Sequence, residues 1–291
     1  MYERRAATDP DAYAAGLLRA TRTEWLLIDD GFPPPGRGAD VERMGELAGA
    51  RAAPVMRIER VAEEGIARGL RLDELREHVR AEVRGAIGRG FVGLKTIAAY
   101  RSGLDVAVEP DADAADRALA ARPTRLEDRA LLELLLLDAL EANAADPLPV
   151  QVHTGFGDSD LLLPRADPAL LGPLIERFGA TPFVLLHCYP FVRQAGWLAH
   201  VYGNVWFDVS LTIPHVWRAA EMVREALELA PTSKLLYASD ASRTPELYYL
   251  AALGWRAALA EVLGEALPPA DAEEAGRRVL RENALVLYGL A

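Results

Sequence analysis

Short apolar runs that alternate with helical segments are the feature that most constrains the fold of this chain. Most of the predicted strands are apolar throughout, and they cover about 24–30, 53–59, 90–97, 148–153, 182–187, 203–209 and 233–239. Continuous apolar strands are typical of parallel sheets that are covered by helices on both faces. Apolar residues recur at helical spacing over about 70–88, 167–178, 214–229 and 245–264, and further helices are predicted over about 10–22, 111–121 and 126–144. The alternation predicts parallel βαβ units with right-handed crossovers.

An open, doubly wound sheet would show the same alternation, but two observations favour a distorted TIM (β/α)8-type barrel. Polar residues suited to chemistry follow several successive strands, and no glycine-rich phosphate loop follows the first strand. The chain begins with a helix and only then reaches a strand, so the predicted barrel lacks its first strand. We interpret the 291 residues as one domain, 1–291.

Composition excludes several classes of protein. A net charge of −11, with acidic residues scattered over the helices, argues against a nucleic-acid partner. Apolar stretches end before the roughly 20 residues that cross a bilayer, and no apolar core follows the basic start at Met1. The single cysteine, Cys188, agrees with a reducing compartment. We expect a cytoplasmic protein with a small-molecule substrate and no membrane or nucleic-acid partner. The sequence does not determine whether the protein forms a homo-oligomer.

Three of the apolar runs end on a residue that can bind a metal: His153, His187 and Asp240. The C-terminal ends of parallel barrel strands meet at one mouth, so these side chains are expected to converge on a divalent cation. His187 is a ligand or a general acid/base that polarises the scissile group, and spacing does not separate these roles. Asp240 is also a candidate proton acceptor for the attacking water, or alternatively a helix N-cap.

Basic residues near strand ends are candidates for substrate binding. Lys95 lies within an apolar strand, where a buried amine needs an anion nearby, although snorkelling is the alternative. Arg101 and Arg193 are candidates to bind a substrate carboxylate through the guanidinium fork, and surface salt bridges would explain them equally well. Cys188 fits a small buried residue better than a nucleophile.

Four segments carry a resemblance to a known family: 151–158 (QVHTGFGD), 185–190 (LLHCYP), 238–240 (ASD) and 281–290 (RENALVLYGL). They resemble the amidohydrolase superfamily, in particular its amidohydrolase-2 branch and the amidohydrolase-like domain fused to glutamine synthetase-like proteins in fungi and plants. The resemblance implies a distorted TIM barrel that uses one or two divalent metals, usually zinc, for hydrolysis. It also implies that His153, His187 and Asp240 match the metal-site residues of strands five, six and eight, and that Lys95 lies where some members carry a carboxylated lysine.

One departure from the family is serious. The family's first strand supplies two metal ligands as His-x-His, and no such pair occurs among the histidines at 78, 153, 187, 200 and 215. Loss of two ligands weakens metal binding, and we interpret Met1 as an internal start or the chain as a fragment. The expected function is metal-dependent hydrolysis of a C–N bond in a small carboxylate-bearing molecule such as a γ-glutamyl amide. A metal-dependent decarboxylase and a metal-poor, non-catalytic barrel are the alternatives.

Overall fold

Six parallel strands form one curled sheet in the computed structural model, which describes residues 8–32 and 40–291. Met1 and the basic start of the chain lie outside the described residues. The strands pair in chain order, each with the next. They are β1 (Trp25–Asp29), β2 (Arg51–Arg57), β3 (Gly93–Thr96), β4 (Val150–Thr154), β5 (Phe183–His187) and β6 (Val205–Phe207).

Helices connect the strands and cover the outside of the sheet. They are α1 (Pro10–Ala20), α2 (Val41–Ala48), α3 (Ile58–Ala67), α4 (Leu72–Arg84), α5 (Ala112–Ala120), α6 (Arg129–Asn143), α7 (Gly172–Arg177), α8 (Val192–Val201), α9 (Ala219–Ala226), α10 (Pro245–Ala266), α11 (Pro269–Arg277) and α12 (Asn283–Leu287). A π-helical turn, Arg278–Glu282, joins the last two. Among the described helices, none combines the length and apolarity needed to cross a membrane.

Burial explains why the strand sequences are apolar throughout. Every residue of β3 and β5 is buried, because helices cover one face and the barrel interior covers the other. All five residues of β1 are only half-buried, since within the described chain this strand has a sheet neighbour on one side only. The result is a TIM-type barrel that is incomplete next to β1, so the predicted fold class is confirmed.

The prediction of a seventh strand over residues 233–239 is wrong. Only an isolated parallel bridge between Phe207 and Leu235 forms there. The C-terminal helical elements satisfy the backbone of this segment: the Tyr237 N–H donates to the carbonyl of Val279, and the Trp255 indole donates to the carbonyl of Ala238. These bonds take up groups that a strand would use in a ladder, so the segment runs extended without joining the sheet.

Helix starts follow the expected capping chemistry. Asp9, Asp40, Asp111 and Asp128 each accept a bond from a backbone N–H in the first turn of the helix that follows. Two predicted helices are shorter than their apolar spacing indicates. The segment 214–229 contributes only α9, because its first residues form turns, and the segment 167–178 begins as a 3-10 helix, Pro168–Leu171, before α7.

Candidate active site

The C-terminal ends of the strands open into a cavity of ≈ 1700 Å³. Small-molecule pockets are typically about 300–1,000 Å³, and this cavity is larger because the gap between β1 and residues 235–240 opens into it. Polar side chains from successive strand ends line it: Asp29, Arg57, Lys95, His153, His187, Asp208 and Asp240. The sequence signal that placed candidate residues at strand ends therefore leads to a common cavity.

Two histidines from neighbouring strands meet in this cavity. The rings of His153 on β4 and His187 on β5 lie 4.5 Å apart between centroids, and the ring of Tyr100 lies 4.5 Å from that of His153. Both imidazoles are buried, and their Nε2 atoms have no hydrogen-bond partner among the described residues. An unpartnered, buried imidazole nitrogen is costly unless something binds it.

Both imidazoles are held in the neutral form. Burial lowers the pKa of His153 well below its ordinary value, and the neighbouring His187 and Lys95 lower it further. Burial followed by the charge of Lys95 does the same to the pKa of His187. Neutral imidazole is the form that binds a metal or accepts a proton, so both rings are ready for either role at neutral pH.

Asp240 follows the extended segment 235–239 and lies beside His187. Its Oδ2 atom is 3.6 Å from the Nδ1 atom of His187, and its side chain is 34% exposed. Asp240 has a backbone φ of 47°, a left-handed conformation that few residues other than glycine adopt. The structure thus brings together the three residues that the sequence analysis singled out as metal ligands.

The donor chemistry of this group suits a divalent cation, although the protein ligands do not converge fully. Two unpartnered imidazole nitrogens and a carboxylate are the donors that zinc takes in many catalytic sites. Gly157 gives room to the Tyr100 hydroxyl beside one of them, since a Cβ atom at this position would collide with Tyr100 Oη and lie 3.1 Å from the Nε2 atom of His153. Within residues 8–32 and 40–291, however, no group of three His, Cys, Asp or Glu side chains is arranged to hold a metal ion.

An ion cluster closes one side of the site. Lys95 Nζ lies 3.1 Å from Asp29 Oδ2, and Arg57 donates to both carboxylate oxygens of Asp29. Burial alone would raise the pKa of Asp29, but the charges of Lys95 and Arg57 outweigh it and hold the pKa below its ordinary value. The anion that a buried Lys95 requires is therefore the carboxylate of Asp29.

The structure separates the two candidate arginines. The side chain of Arg101 lines the cavity, is only 7% exposed, and donates from Nη2 to Glu63 at 3.1 Å. Its Nε and Nη1 atoms have no hydrogen-bond partner in the described part of the chain. Arg193 is 71% exposed on α8, pairs with Glu225 and Glu228, and does not line the cavity. The second helical position of α8 turns Arg193 away from the barrel mouth, so of these two arginines Arg101 alone lines the cavity.

Asp208 and Ser210, just after β6, hold His187. The Asp208 carboxylate accepts from the backbone N–H of His187 and from that of Ser210, each at 2.8 Å. Ser210 Oγ lies 2.9 Å from His187 Nδ1. These contacts fix His187 in a left-handed conformation, with a φ of 69°. Burial raises the pKa of Asp208 to about 6.

Several site residues escaped the sequence analysis: Asp29, Arg57, Tyr100, Asp208 and Ser210. The same signal could have found two of them, because Asp29 and Asp208 also end apolar runs. Arg57 and Ser210 carry no comparable signal, since an arginine or serine near a strand end is common. Cys188 is buried, and burial raises the pKa of its thiol, so it is not a ready nucleophile.

Comparison with known proteins agrees with this architecture. The FluG protein of Emericella nidulans is 36% identical over 222 residues, which are 68% of this chain but only 26% of FluG, so the chain spans about a quarter of that relative. A candidate metal-dependent hydrolase from Lactobacillus casei is 32% identical, with a TM-score of 0.90 over 97% of this chain and 78% of the other.

More distant structures share the fold alone. An uncharacterised TIM-barrel protein from Bordetella bronchiseptica and a glucuronate isomerase from Caulobacter crescentus are each 16% identical, with TM-scores of 0.54 and 0.61. They cover 94% and 95% of this chain, which itself covers 80% and 66% of theirs. The family profile described as Amidohydrolase matches residues 43–290, which include the site residues Arg57, Lys95, His153, His187 and Asp240. The chain therefore belongs to the amidohydrolase family.

Proposed function

We propose that this protein is a metal-dependent hydrolase that cleaves a C–N bond in a small, carboxylate-bearing molecule. The observation that carries the proposal is the pair of buried, neutral histidines, His153 and His187, whose Nε2 atoms have no partner among the described residues and which lie beside Asp240. Membership in the amidohydrolase family supports hydrolysis, as does the description of the Lactobacillus casei relative as a candidate metal-dependent hydrolase.

His153, His187 and Asp240 are the residues that would hold the divalent ion. We propose zinc as this ion. When bound, such an ion supplies Lewis acidity to the scissile carbonyl and acidifies water. From its position 3.6 Å from His187, Asp240 would accept a proton from the attacking water. The same carboxyl group then gives that proton to the departing nitrogen. His187 orients the scissile group through its position in the cavity wall.

The substrate carboxylate binds at Arg101. The buried Nε–H of this side chain has no hydrogen-bond partner among the described residues, and donation to a carboxylate oxygen would offset the cost of burying it. Lys95 contributes a positive field but is already paired with Asp29. We propose a γ-glutamyl amide as the substrate, because the relatives suggested by sequence resemblance are fused to glutamine synthetase-like proteins.

Hydrolysis of a panel of amides tests this function. The protein is treated with a chelator, reloaded with Zn²⁺, and assayed for release of amine from γ-glutamyl amides and from the same amides without the α-carboxylate. We expect activity only after reloading, and at least a ~100-fold lower kcat in the Asp240→Asn variant, as for loss of a general base. His200→Asn is the matched control, because His200 is exposed on α8.

Each alternative has its own outcome. Release of CO₂ without amine would identify a decarboxylase. Absence of bound Zn²⁺, together with absence of both products, would leave a metal-poor, non-catalytic barrel. Equal loss of activity in the Asp240→Asn and His200→Asn variants would show that the cavity is not the active site.

A further inference from the structure

We propose that Asp208 and Ser210 form a relay that fixes His187 as its Nδ1–H tautomer and so presents a bare Nε2 lone pair to the cavity. Ser210 and Asp208 are then positioning residues for His187. The tautomer follows from contacts within the protein, and its consequence for metal affinity rests on the proposed function.

The first step concerns the hydroxyl of Ser210. Its side chain hydrogen-bonds the carboxylate of Asp208. The Asp208 carboxylate already accepts two backbone N–H bonds, and as an acceptor it takes the hydroxyl proton of Ser210 as well. The lone pairs of Ser210 Oγ remain to face His187 Nδ1, which lies 2.9 Å away. Ser210 therefore acts as an acceptor toward the ring.

The second step concerns the ring. Nδ1 of His187 faces two acceptors, Ser210 Oγ at 2.9 Å and Asp240 Oδ2 at 3.6 Å. Only a protonated Nδ1 satisfies either of them, and a neutral imidazole carries one proton, so Nε2 is left unprotonated. The Nε2 atom is buried and has no hydrogen-bond partner among the residues that the structure describes.

The third step concerns the backbone. The Asp208 carboxylate that orients Ser210 also accepts the backbone N–H bonds of Ser210 and His187. One carboxylate thus fixes both the left-handed backbone of His187 and, through Ser210, its ring. Outer hydrogen bonds of this kind set the tautomer of metal-binding histidines in general.

Two-bond ¹H–¹⁵N correlation spectra of the metal-free protein, recorded above neutral pH, test the relay. His187 is assigned by the signal lost in a His187→Gln variant. We expect a protonated Nδ1 and an unprotonated Nε2 in the wild type and in Asp240→Asn, where Ser210 alone remains as a strong acceptor. In the double variant Asp240→Asn/Ser210→Ala we expect the Nε2–H form, which a free imidazole side chain prefers. Ser210→Thr in place of Ser210→Ala should restore the Nδ1–H form.

A wild-type signal with Nε2 protonated would overturn the proposal, as would an unchanged tautomer in the double variant. Folding of each variant is checked by the dispersion of its amide spectrum, and His200 serves as an internal control whose signals should stay constant.

Zn²⁺ titration gives a second readout. Loss of an outer partner of this kind costs about 10–100-fold in metal affinity, so Ser210→Ala should bind Zn²⁺ more weakly by that factor and Ser210→Thr should bind as the wild type does. Equal affinity in Ser210→Ala and wild type would contradict the relay. A wild type that binds no Zn²⁺ would refute the proposed function. The spectra of the metal-free protein test the relay independently of that result.

Discussion

Replacing Asp29 with asparagine should destabilise the protein by about 3–5 kcal/mol, the usual cost of leaving buried charges without their partner. The side chains of Asp29, Lys95 and Arg57 are 15%, 9% and 15% exposed. Unit charges 3.1 Å apart, as in the Lys95–Asp29 pair, attract by about 5 kcal/mol at an effective dielectric constant of ~20. The amide oxygen of the introduced asparagine would still accept a hydrogen bond from Arg57, so we expect the lower half of the range.

Urea unfolding at pH 7, followed by circular dichroism, measures this loss. Asp160→Asn is the matched control, because Asp160 is 56% exposed and lies 3.5 Å from Arg125; an exposed pair of this kind contributes only about 0–1 kcal/mol. Adding Lys95→Met to the Asp29→Asn variant removes one of the two uncompensated cations and should recover part of the stability. Equal stability of the Asp29→Asn and Asp160→Asn variants, or no recovery in the double variant, would refute the reasoning.

The stability contributed by Asp29 also has a defined pH dependence. Its pKa is lower in the folded protein than in the unfolded chain, because Lys95 and Arg57 favour the carboxylate. The contribution is therefore fully present above about pH 4, the ordinary pKa of Asp, and is lost as pH falls through the folded value. The Asp29→Asn variant should lack this acid-dependent loss.

Three further predictions concern the cavity. Burial holds the pKa values of His153 and His187 well below the ordinary value of 6.5, so unfolding free energy should fall as pH drops below 6.5, by up to about 1.4 kcal/mol per pH unit for each histidine; a flat profile from pH 7 to 5 would contradict neutral histidines. Arg101→Lys should raise KM for carboxylate-bearing amides by about 10-fold or more, because lysine lacks the buried Nε–H donor of the guanidinium. Arg193→Ala should leave KM unchanged, and equal effects would argue against Arg101 as the substrate-binding residue. Gly157→Ala should weaken Zn²⁺ binding measured by calorimetry, because its Cβ would collide with Tyr100 Oη and lie 3.1 Å from Nε2 of His153. Unchanged affinity would contradict this reasoning.

The site residues at the strand ends were predictable from the sequence, because one pattern, an apolar run that ends on a polar residue, marks both a buried strand and a candidate functional residue. An apolar run that ends on His153 or His187 must place that residue at the edge of the core, and the parallel topology brings such edges together. The same reasoning placed Asp240 beside His187, although its segment is not a strand.

The features that could not be predicted from the sequence depend on contacts between residues that are distant in the chain. Residues 233–239 have the composition of a strand, but Val279, Asn283 and Trp255 take up their backbone groups. Arg101 and Arg193 look alike as sequence positions, and only the placement of α8 separates them. The role of Ser210 depends on the conformation of His187, which no local pattern encodes.

The pairing of strands in chain order has a consequence for how the molecule assembles. Each strand joins the one made just before it, so the sheet can grow from β1 to β6 as the chain leaves the ribosome, without waiting for a distant strand. The two ends of the sheet are tied together by helices instead: α1 packs against α10, Tyr13 donates to Glu246 at 2.9 Å, and Arg256 donates to the carbonyl of Thr21. Because α10 follows β6 in the chain, its docking onto α1 can enclose the site only after every strand-end residue of the sheet has been synthesised.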